Sequence, residues 1–272
     1  MNYKIETEFA VQLVKEVGEI MRGSLQIGHA SVLKSDKTHV TEIDKRINKR
    51  IIEALRAQFP EDGILGEEES DMQDTDKRLW ICDPLDGTFP FKCGMPTSMV
   101  LLALTEDGKP KLGVAYNPYI EQLFVASLGG GAFANGEQVF VNKNFLQLAG
   151  TPIGASGPNP SSVLDIVEVH HQIGKSKAKI QILGVTGYED VMVGCGQFGG
   201  QVFGGITRHD IVVGDIFVRE AGGMATDVFG NELIYDLPQK PPQGAILSNG
   251  LLHEALVSLV SPHLATTKTA GS

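Results

Sequence analysis

Apolar residues recur at spacings of three and four in two early stretches, then give way to short runs between turns. Phe9, Leu13, Val14, Val17, Ile20 and Met21 form one stripe; Ile43, Ile47, Ile51 and Leu55 form a second that stops before Pro60. Both patterns predict amphipathic helices, each with one face toward a core. The second opens on Thr41-Glu42-Ile43-Asp44, a capping-box pattern. From Leu79 the pattern is that of strands, expected at 79–82, 99–104, 112–116 and 123–126. Glu106-Asp107-Gly108 and Asn135-Gly136 supply hairpin turns. Residues 148–162 are rich in Gly, Pro and Ser and predict a hinge. Beyond it the pattern predicts a strand at 180–183, a helix at 188–195, strands at 201–203 and 224–227 around a helix at 210–221, then a strand at 245–247 and a helix at 251–260. Such an order predicts an α/β layered sandwich in two halves, 1–150 and 151–272.

Composition narrows the function classes. With 42% hydrophobic and 21% charged residues over 272, the chain has ample material for a core. Lys+Arg 23 against Asp+Glu 33 gives a net charge of −10, which disfavours nucleic acid and anionic membrane as partners. A phosphorylated small molecule still fits if metal ions reverse the local field. The three cysteines suggest a reduced, cytoplasmic setting. MNYKIETEFA lacks the apolar core of a signal peptide, and no apolar run reaches the roughly 18 residues of a membrane span.

The chemistry concentrates in Trp80-Ile81-Cys82-Asp83-Pro84-Leu85-Asp86-Gly87-Thr88. An apolar strand runs into two carboxylates with a proline between them, and a proline-directed turn brings such acids toward one point. Close carboxylates repel unless a cation sits between them, and hard oxygen ligands suit magnesium. Gly87 leaves room for a substrate beside the backbone, and Thr88 is placed to cap a following helix that receives a phosphate. The competing reading is an ordinary exposed Asp-Pro-x-Asp-Gly turn. Upstream, Glu67 follows Ile64-Leu65-Gly66, while Glu68, Glu69, Asp71, Asp74 and Asp76 read as a solvated acidic loop. Downstream, Asp210 opens the predicted 210–221 helix, where a plain N-cap is the bland alternative.

Gly66-Glu67-Glu68, Trp80-x-x-Asp83-Pro84-x-Asp86-Gly87-Thr88, and Asp210-x-x-x-Gly214 with Glu220-Ala221-Gly222-Gly223 together resemble the inositol monophosphatase superfamily, in order and spacing, from about Lys34 to Gly223. The resemblance implies an αβαβα sandwich of the sugar phosphatase type, with the active site between the halves. It also implies phosphomonoester hydrolysis that depends on two or three magnesium ions and is inhibited by lithium or calcium, and a homodimer. On the family pattern Glu67, Asp83, Asp86 and Asp210 are metal ligands, and the Leu85 carbonyl also faces a metal. Thr88 helps Glu67 hold the attacking water, and Asp44 supports Thr88 besides its capping-box role. Asp86, Gly87 and Thr88 would meet the substrate.

Departures from the pattern fall on the alcohol side. Phe203 lies seven residues before Asp210, where inositol phosphatases place a Glu, and Val185 stands where a polar contact is expected. Phe89-Pro90 replaces the usual Thr-Asn, Val212-Val213 two alanines, and His209 the usual Trp, as a substrate contact or a mere spacer. The substrate is therefore expected to be a small phosphorylated metabolite, with inositol phosphate, a sugar bisphosphate and a 3′-phosphonucleotide all open. An aspartyl-phosphate phosphotransferase is disfavoured, because it carries its acids two apart and near the N-terminus. A regulatory binding protein that keeps the fold is the non-enzyme alternative. Gly194-Cys195-Gly196-Gln197-Phe198-Gly199 matches a dinucleotide fingerprint but follows a predicted helix, so it reads as a turn. Cys82 reads as a buried strand residue, and His170-His171 as surface residues of a loop or strand.

Overall fold

The computed structural model describes residues 3–25, 31–33, 39–72, 77–157, 162–205, 207–235 and 243–264; of 31–33 and 39–41 only the backbone is described. The acidic residues Asp74 and Asp76, the Thr41 side chain of the expected capping box, and Lys34 lie outside the described part.

Helix α1 (Lys4–Gly23) and helix α2 (Glu42–Gln58) bury the two predicted stripes, and the hairpin of β1 (Ser31–Leu33) and β2 (His39–Thr41) lies between them in sequence. They cover one face of a seven-stranded sheet built from β3 (Gly63–Gly66), β4 (Arg78–Asp86), β5 (Met99–Glu106), β6 (Lys109–Asn117), β7 (Gln122–Ser127), β8 (Gly131–Ala134) and β9 (Glu137–Val139), paired in that order. A short helix, α3 (Thr88–Lys92), follows β4 directly. Only β3 and β4 run parallel; the rest of this sheet is antiparallel. Strands β4 and β5 read as unbroken apolar runs because both faces are covered. Trp80, Cys82, Val100 and Leu102 belong to the core under α1 and α2, whereas Leu79, Ile81, Leu101 and Ala103 belong to the core on the opposite side.

That opposite face packs on α5 (Thr186–Gly194) and α6 (Val212–Glu220). Beyond them lies a five-stranded sheet of β10 (Pro152–Ala155), β11 (Lys179–Gln181), β12 (Gly200–Phe203), β13 (Met224–Thr226) and β14 (Ala245–Ser248), ordered β11-β10-β12-β14-β13. Helices α4 (Ile166–Lys175) and α7 (His253–Val260) close the outer side. The layers are thus helix pair, sheet, helix pair, sheet, helix pair: the expected αβαβα sandwich.

Three local expectations need correction. The Gly-Pro-Ser stretch at 148–162 contains β10, which pairs with β11 on one side and β12 on the other. Ile153 and Ala155 are fully buried there, a short alternation that the flanking turn residues obscured. His170-His171 lies on α4, where Ile166, Val169 and Ile173 supply a helical stripe and Asp165 caps by accepting from the Glu168 N–H. Helix α6 starts at Val212, so Asp210 stands in the preceding turn and is not its N-cap. The Gly194–Gly199 segment leads from α5 into β12, as a turn.

Candidate active site

Asp83 and Asp86 end β4. In a regular strand, residues three apart point to opposite faces. Here Asp83 pairs with Leu101 but Asp86 with Met99, so three steps on β4 match two on β5 and the strand bulges. Pro84 offers no N–H to the ladder, which fits a bulge at this point. The turn expected from Pro84 is therefore a bulge within the strand. Asp83 Oδ1 accepts from the Leu85 N–H at 2.9 Å, fixing the kink from inside.

Asp86 is only 4% exposed, and it is held from the far side of the molecule. The N–H groups of Thr186 and Gly187 donate to its two oxygens at 3.1 and 2.6 Å. These are the first two residues of α5, whose N-cap residue Val185 supplies no side-chain cap, so Asp86 takes that role across the sheet. A Cβ on Gly187 would stand 2.9 Å from Asp86 Oδ2 and 2.6 Å from Leu101, so the approach requires glycine.

Gly87 has φ 86 and is the N-cap of α3, with Thr88 as its first helical residue. Thr88 is therefore not the cap that sequence suggested; its hydroxyl donates to the Leu85 carbonyl at 3.3 Å. Val185 is fully buried against Gly87, where a Cβ would meet it at 2.7 Å. Phe203 ends β12 at 7% exposure and belongs to the central core, with its ring against Gly205. Neither presents a polar group, and both act in packing. Asp44 is buried on α2.

Glu67 follows β3, and its N–H donates to the Cys82 carbonyl at 3.2 Å, which ties it to β4. Asn48, buried on α2, donates to the Glu69 carbonyl at 3.1 Å and packs against Gly66, so it holds the loop carrying Glu67. Asp210 accepts from the Thr207 hydroxyl within its turn. Carboxylate oxygens of Asp83, Asp86 and Asp210 lie within 4.8 Å of one another; so do ligand atoms of Glu67, Asp83 and His209. Asp83 is common to both groups. The four expected acids thus fall into two groups that meet at Asp83, His209 joins the one with Glu67, and the Leu85 carbonyl is seen only accepting from Thr88.

Burial pushes the Asp83 carboxyl well above its ordinary range, and Glu67, Asp86 and Asp210 push further. Asp86 is raised for the same two reasons, burial and Asp210, against the lowering by its two backbone bonds. Two charges about 4.8 Å apart at an effective dielectric near 20 repel by roughly 3 kcal/mol. Each backbone hydrogen bond returns only about 1 kcal/mol net. Repulsion among three acids wins, so the arrangement holds its charge only with a cation among the oxygens. An oxygen donor set of this kind fits magnesium. Cys82 is inert beside it, its thiol pushed far up by burial and then by Asp83 and Glu67.

Sequence reading missed several supports. Glu189 accepts from the N–H groups of Leu183 and Gly184 at 2.6 and 3.2 Å and from Gln201 at 3.1 Å, bracing the loop before α5. Its only signal was the acid pair Glu189-Asp190 set before the apolar Val191-Met192-Val193 of the same helix. Glu220 of the Glu-Ala-Gly-Gly motif binds the Gly129 and Gly131 N–H groups, both at 2.9 Å, and so pins the β7–β8 turn to α6.

A model of the inositol monophosphatase family matches residues 3–265. The fructose-1,6-bisphosphatase/inositol-1-monophosphatase of Thermotoga maritima is 32% identical over 255 residues, spanning 93% of this chain and 95% of that protein. The Nus factor SuhB of Pasteurella multocida is 31% identical over 230 residues, 81% of this chain and 84% of its own. The solved inositol monophosphatase of Thermotoga maritima superposes with a TM-score of 0.82 at 32% identity, covering 94% of this chain and 96% of that one.

Proposed function

The chain belongs to the inositol monophosphatase family, and we propose that it is a magnesium-dependent phosphomonoesterase acting on a small phosphorylated metabolite. The observation that supports this reading is the sharing of Asp83 between two ligand groups, one with Asp86 and Asp210 and one with Glu67. Bound metal supplies an activated water and neutralises the phosphate and the departing alkoxide. The protein's own part is placement. The β4 bulge turns Asp83 and Asp86 to one side, the α5 N–H groups lock Asp86, and Asn48 holds the Glu67 loop. On the family pattern Glu67 and Thr88 orient the attacking water and Asp44 supports Thr88. Gly87 is required because Val185 fills the space a Cβ would take, and a contact of its backbone with the substrate rests on the family pattern.

On the family pattern positions 203 and 185 mark the alcohol side; here Phe203 and Val185 are buried in packing, so the hydrogen-bond acceptor that inositol-selective members place there is missing. A pocket without that acceptor leaves buried hydroxyls of a polyol unpaired, at about 1–3 kcal/mol each. Inositol monophosphate is therefore not the best substrate, and sugar phosphates compete with it. The dual name of the Thermotoga relative is consistent with such tolerance. A cytoplasmic homodimer belongs to the same proposal; three free cysteines agree with a reducing setting. Among the described residues no helix is long and apolar enough to cross a membrane. The name of the SuhB relative keeps a regulatory role in view, but the complete set of acids favours turnover.

The test is hydrolysis, with and without magnesium, of inositol 1-phosphate, fructose 1,6-bisphosphate, a 3′-phosphonucleotide and an aryl phosphate. Magnesium-dependent release of phosphate is expected. Full activity in excess chelator, or none on any substrate, overturns the reading; a clear preference for inositol 1-phosphate overturns the part resting on Phe203.

A further inference from the structure

The two ligand groups that share Asp83 differ in kind. Asp83, Asp86 and Asp210 offer oxygen alone, while Glu67 and Asp83 stand with a ring nitrogen of His209 inside 4.8 Å. His209 is held there by its turn. The Val212 N–H donates to the Arg208 carbonyl at 3.1 Å, and the Thr207 hydroxyl binds Asp210 on the other side of the histidine. The side chain is 15% exposed, so it is packed into the site and not free in solvent. Its Nε2 lies 4.0 Å from Asp210 Oδ2, too far for a hydrogen bond, so that carboxylate does not consume the ring.

An octahedral ion with ligands near 2.1 Å needs donor atoms about 3–4.2 Å apart, within reach of a small side-chain adjustment from these distances. Carboxylates and water suit magnesium, whereas imidazole draws first-row transition ions, whose affinity rises from manganese to copper. We infer that His209 adds a nitrogen ligand to the ion held by Glu67 and Asp83. This half of the site then prefers a first-row divalent cation over magnesium, while the Asp83–Asp86–Asp210 half keeps oxygen-only coordination. The inference rests on the metal-dependent reading above and adds a ligand and a selectivity to it. It also gives the departure at His209 a chemical consequence: the two ions are not interchangeable.

Manganese is the probe, because its electron spin reports directly on a bound nitrogen. With Mn2+ bound to the purified protein, pulsed EPR is expected to show coupling to a 14N nucleus. The coupling disappears in His209→Gln and in His209→Phe, with Mn2+ still bound in each. It persists in Asp210→Asn, because Asp210 belongs to the other group. In calorimetric competition, the preference for Mn2+ over Mg2+ falls in the His209 variants by about tenfold or more, the scale that even outer-shell partners of a ligand carry. Circular dichroism verifies that each variant is folded. Mn2+ bound without nitrogen coupling in the unmodified protein overturns the inference and leaves the metal-dependent reading standing. Failure to bind Mn2+ or Mg2+ at all overturns both.

Discussion

Two acidic clusters occupy opposite ends of β4 and are built in opposite ways. At its start, Arg78 donates to Glu6 at 2.6 Å, to Asp62 at 2.9 Å and to Glu106 at 2.7 Å, and the Trp80 indole N–H donates to Asp62 at 2.8 Å. One guanidinium there fixes α1, the loop after α2 and the edge of β5 to a single strand. At its end, Asp83 and Asp86 crowd against Asp210, and among the described residues neither is bonded to a lysine or arginine. Backbone N–H groups orient these acids without cancelling their charge. Where the fold brings its own cation, the cluster is an anchor; where it brings only dipoles, the cluster is poised for a cation from solution. Asp215 follows the first pattern, between Arg219 and the Tyr235 hydroxyl.

Asp83→Asn should show the largest effect, because it removes the acid shared by both ligand groups. Metal catalysis is worth several kcal/mol, so kcat/KM at saturating magnesium should fall about a thousand-fold or more. Without magnesium the variant should unfold no more easily than the unmodified protein, since one repelling charge is gone. Near-normal turnover in a folded variant would show that Asp83 is an ordinary strand-end acid.

Arg78→Met reverses that outcome. It leaves Glu6, Asp62 and Glu106 together without a cation and should cost about 2–3 kcal/mol of stability, the figure for a broken buried pair discounted for partial exposure. The urea midpoint should fall while kcat of the remaining folded enzyme stays close to normal. A large drop in kcat with an unchanged midpoint would place Arg78 in the chemistry and erase the contrast.

Proton linkage distinguishes the two ends as well. Burial raises Asp83, Asp86 and Asp190, and raises Glu189 from 4.5 to about 7. A carboxyl raised on folding binds its proton more tightly in the native state. Its contribution to stability is therefore full below the unfolded value and is lost as pH climbs through the folded one. Melting temperature without divalent ion should decline with rising pH, in part as Glu189 titrates between 4.5 and about 7, and magnesium should reduce the share of that slope due to Asp83 and Asp86 by holding them in their charged form. A slope that magnesium does not change would dissociate the raised acids from the metal site.

Asp190 sharpens this at the smallest scale. It is fully buried on α5 with neither carboxyl oxygen hydrogen bonded among the described residues, directly over Gly214. Asp190→Asn removes the charge while keeping the shape and should raise stability by about 1 kcal/mol, more at high pH than at low. Loss of stability in this variant would mean that the carboxyl has a partner worth more than its burial costs.

Much of this was legible along the chain. The stripes of α1 and α2 and the apolar runs of β4 to β7 are short-range patterns that periodicity exposes directly, and spacing singles out Asp83 and Asp86, whereas only the family resemblance tied Glu67 and Asp210 to them. Helix α4 and strand β10 were legible only in part, because Gly, Pro and Ser in their flanks outweighed a three-residue stripe and a four-residue alternation. The motif Asp210-x-x-x-Gly214 shows where a glycine must stand but not why; the reason is Asp190, on the neighbouring helix.

What the sequence determined by itself is the inventory: a layered α/β chain and four acids in three ordered segments. Tertiary structure decided the grouping. Asp86 meets the N–H groups of residues 100 and 101 positions away, and His209 reaches Glu67 and Asp83 from beyond the second sheet's central strand. Spacing cannot report such meetings, because they depend on how two helices sit between two sheets. A strand bulge turns two acids to one side, and a helix end supplies dipoles without charge. Together they convert an acidic stretch of chain into a cluster of carboxylates suited to a bound cation.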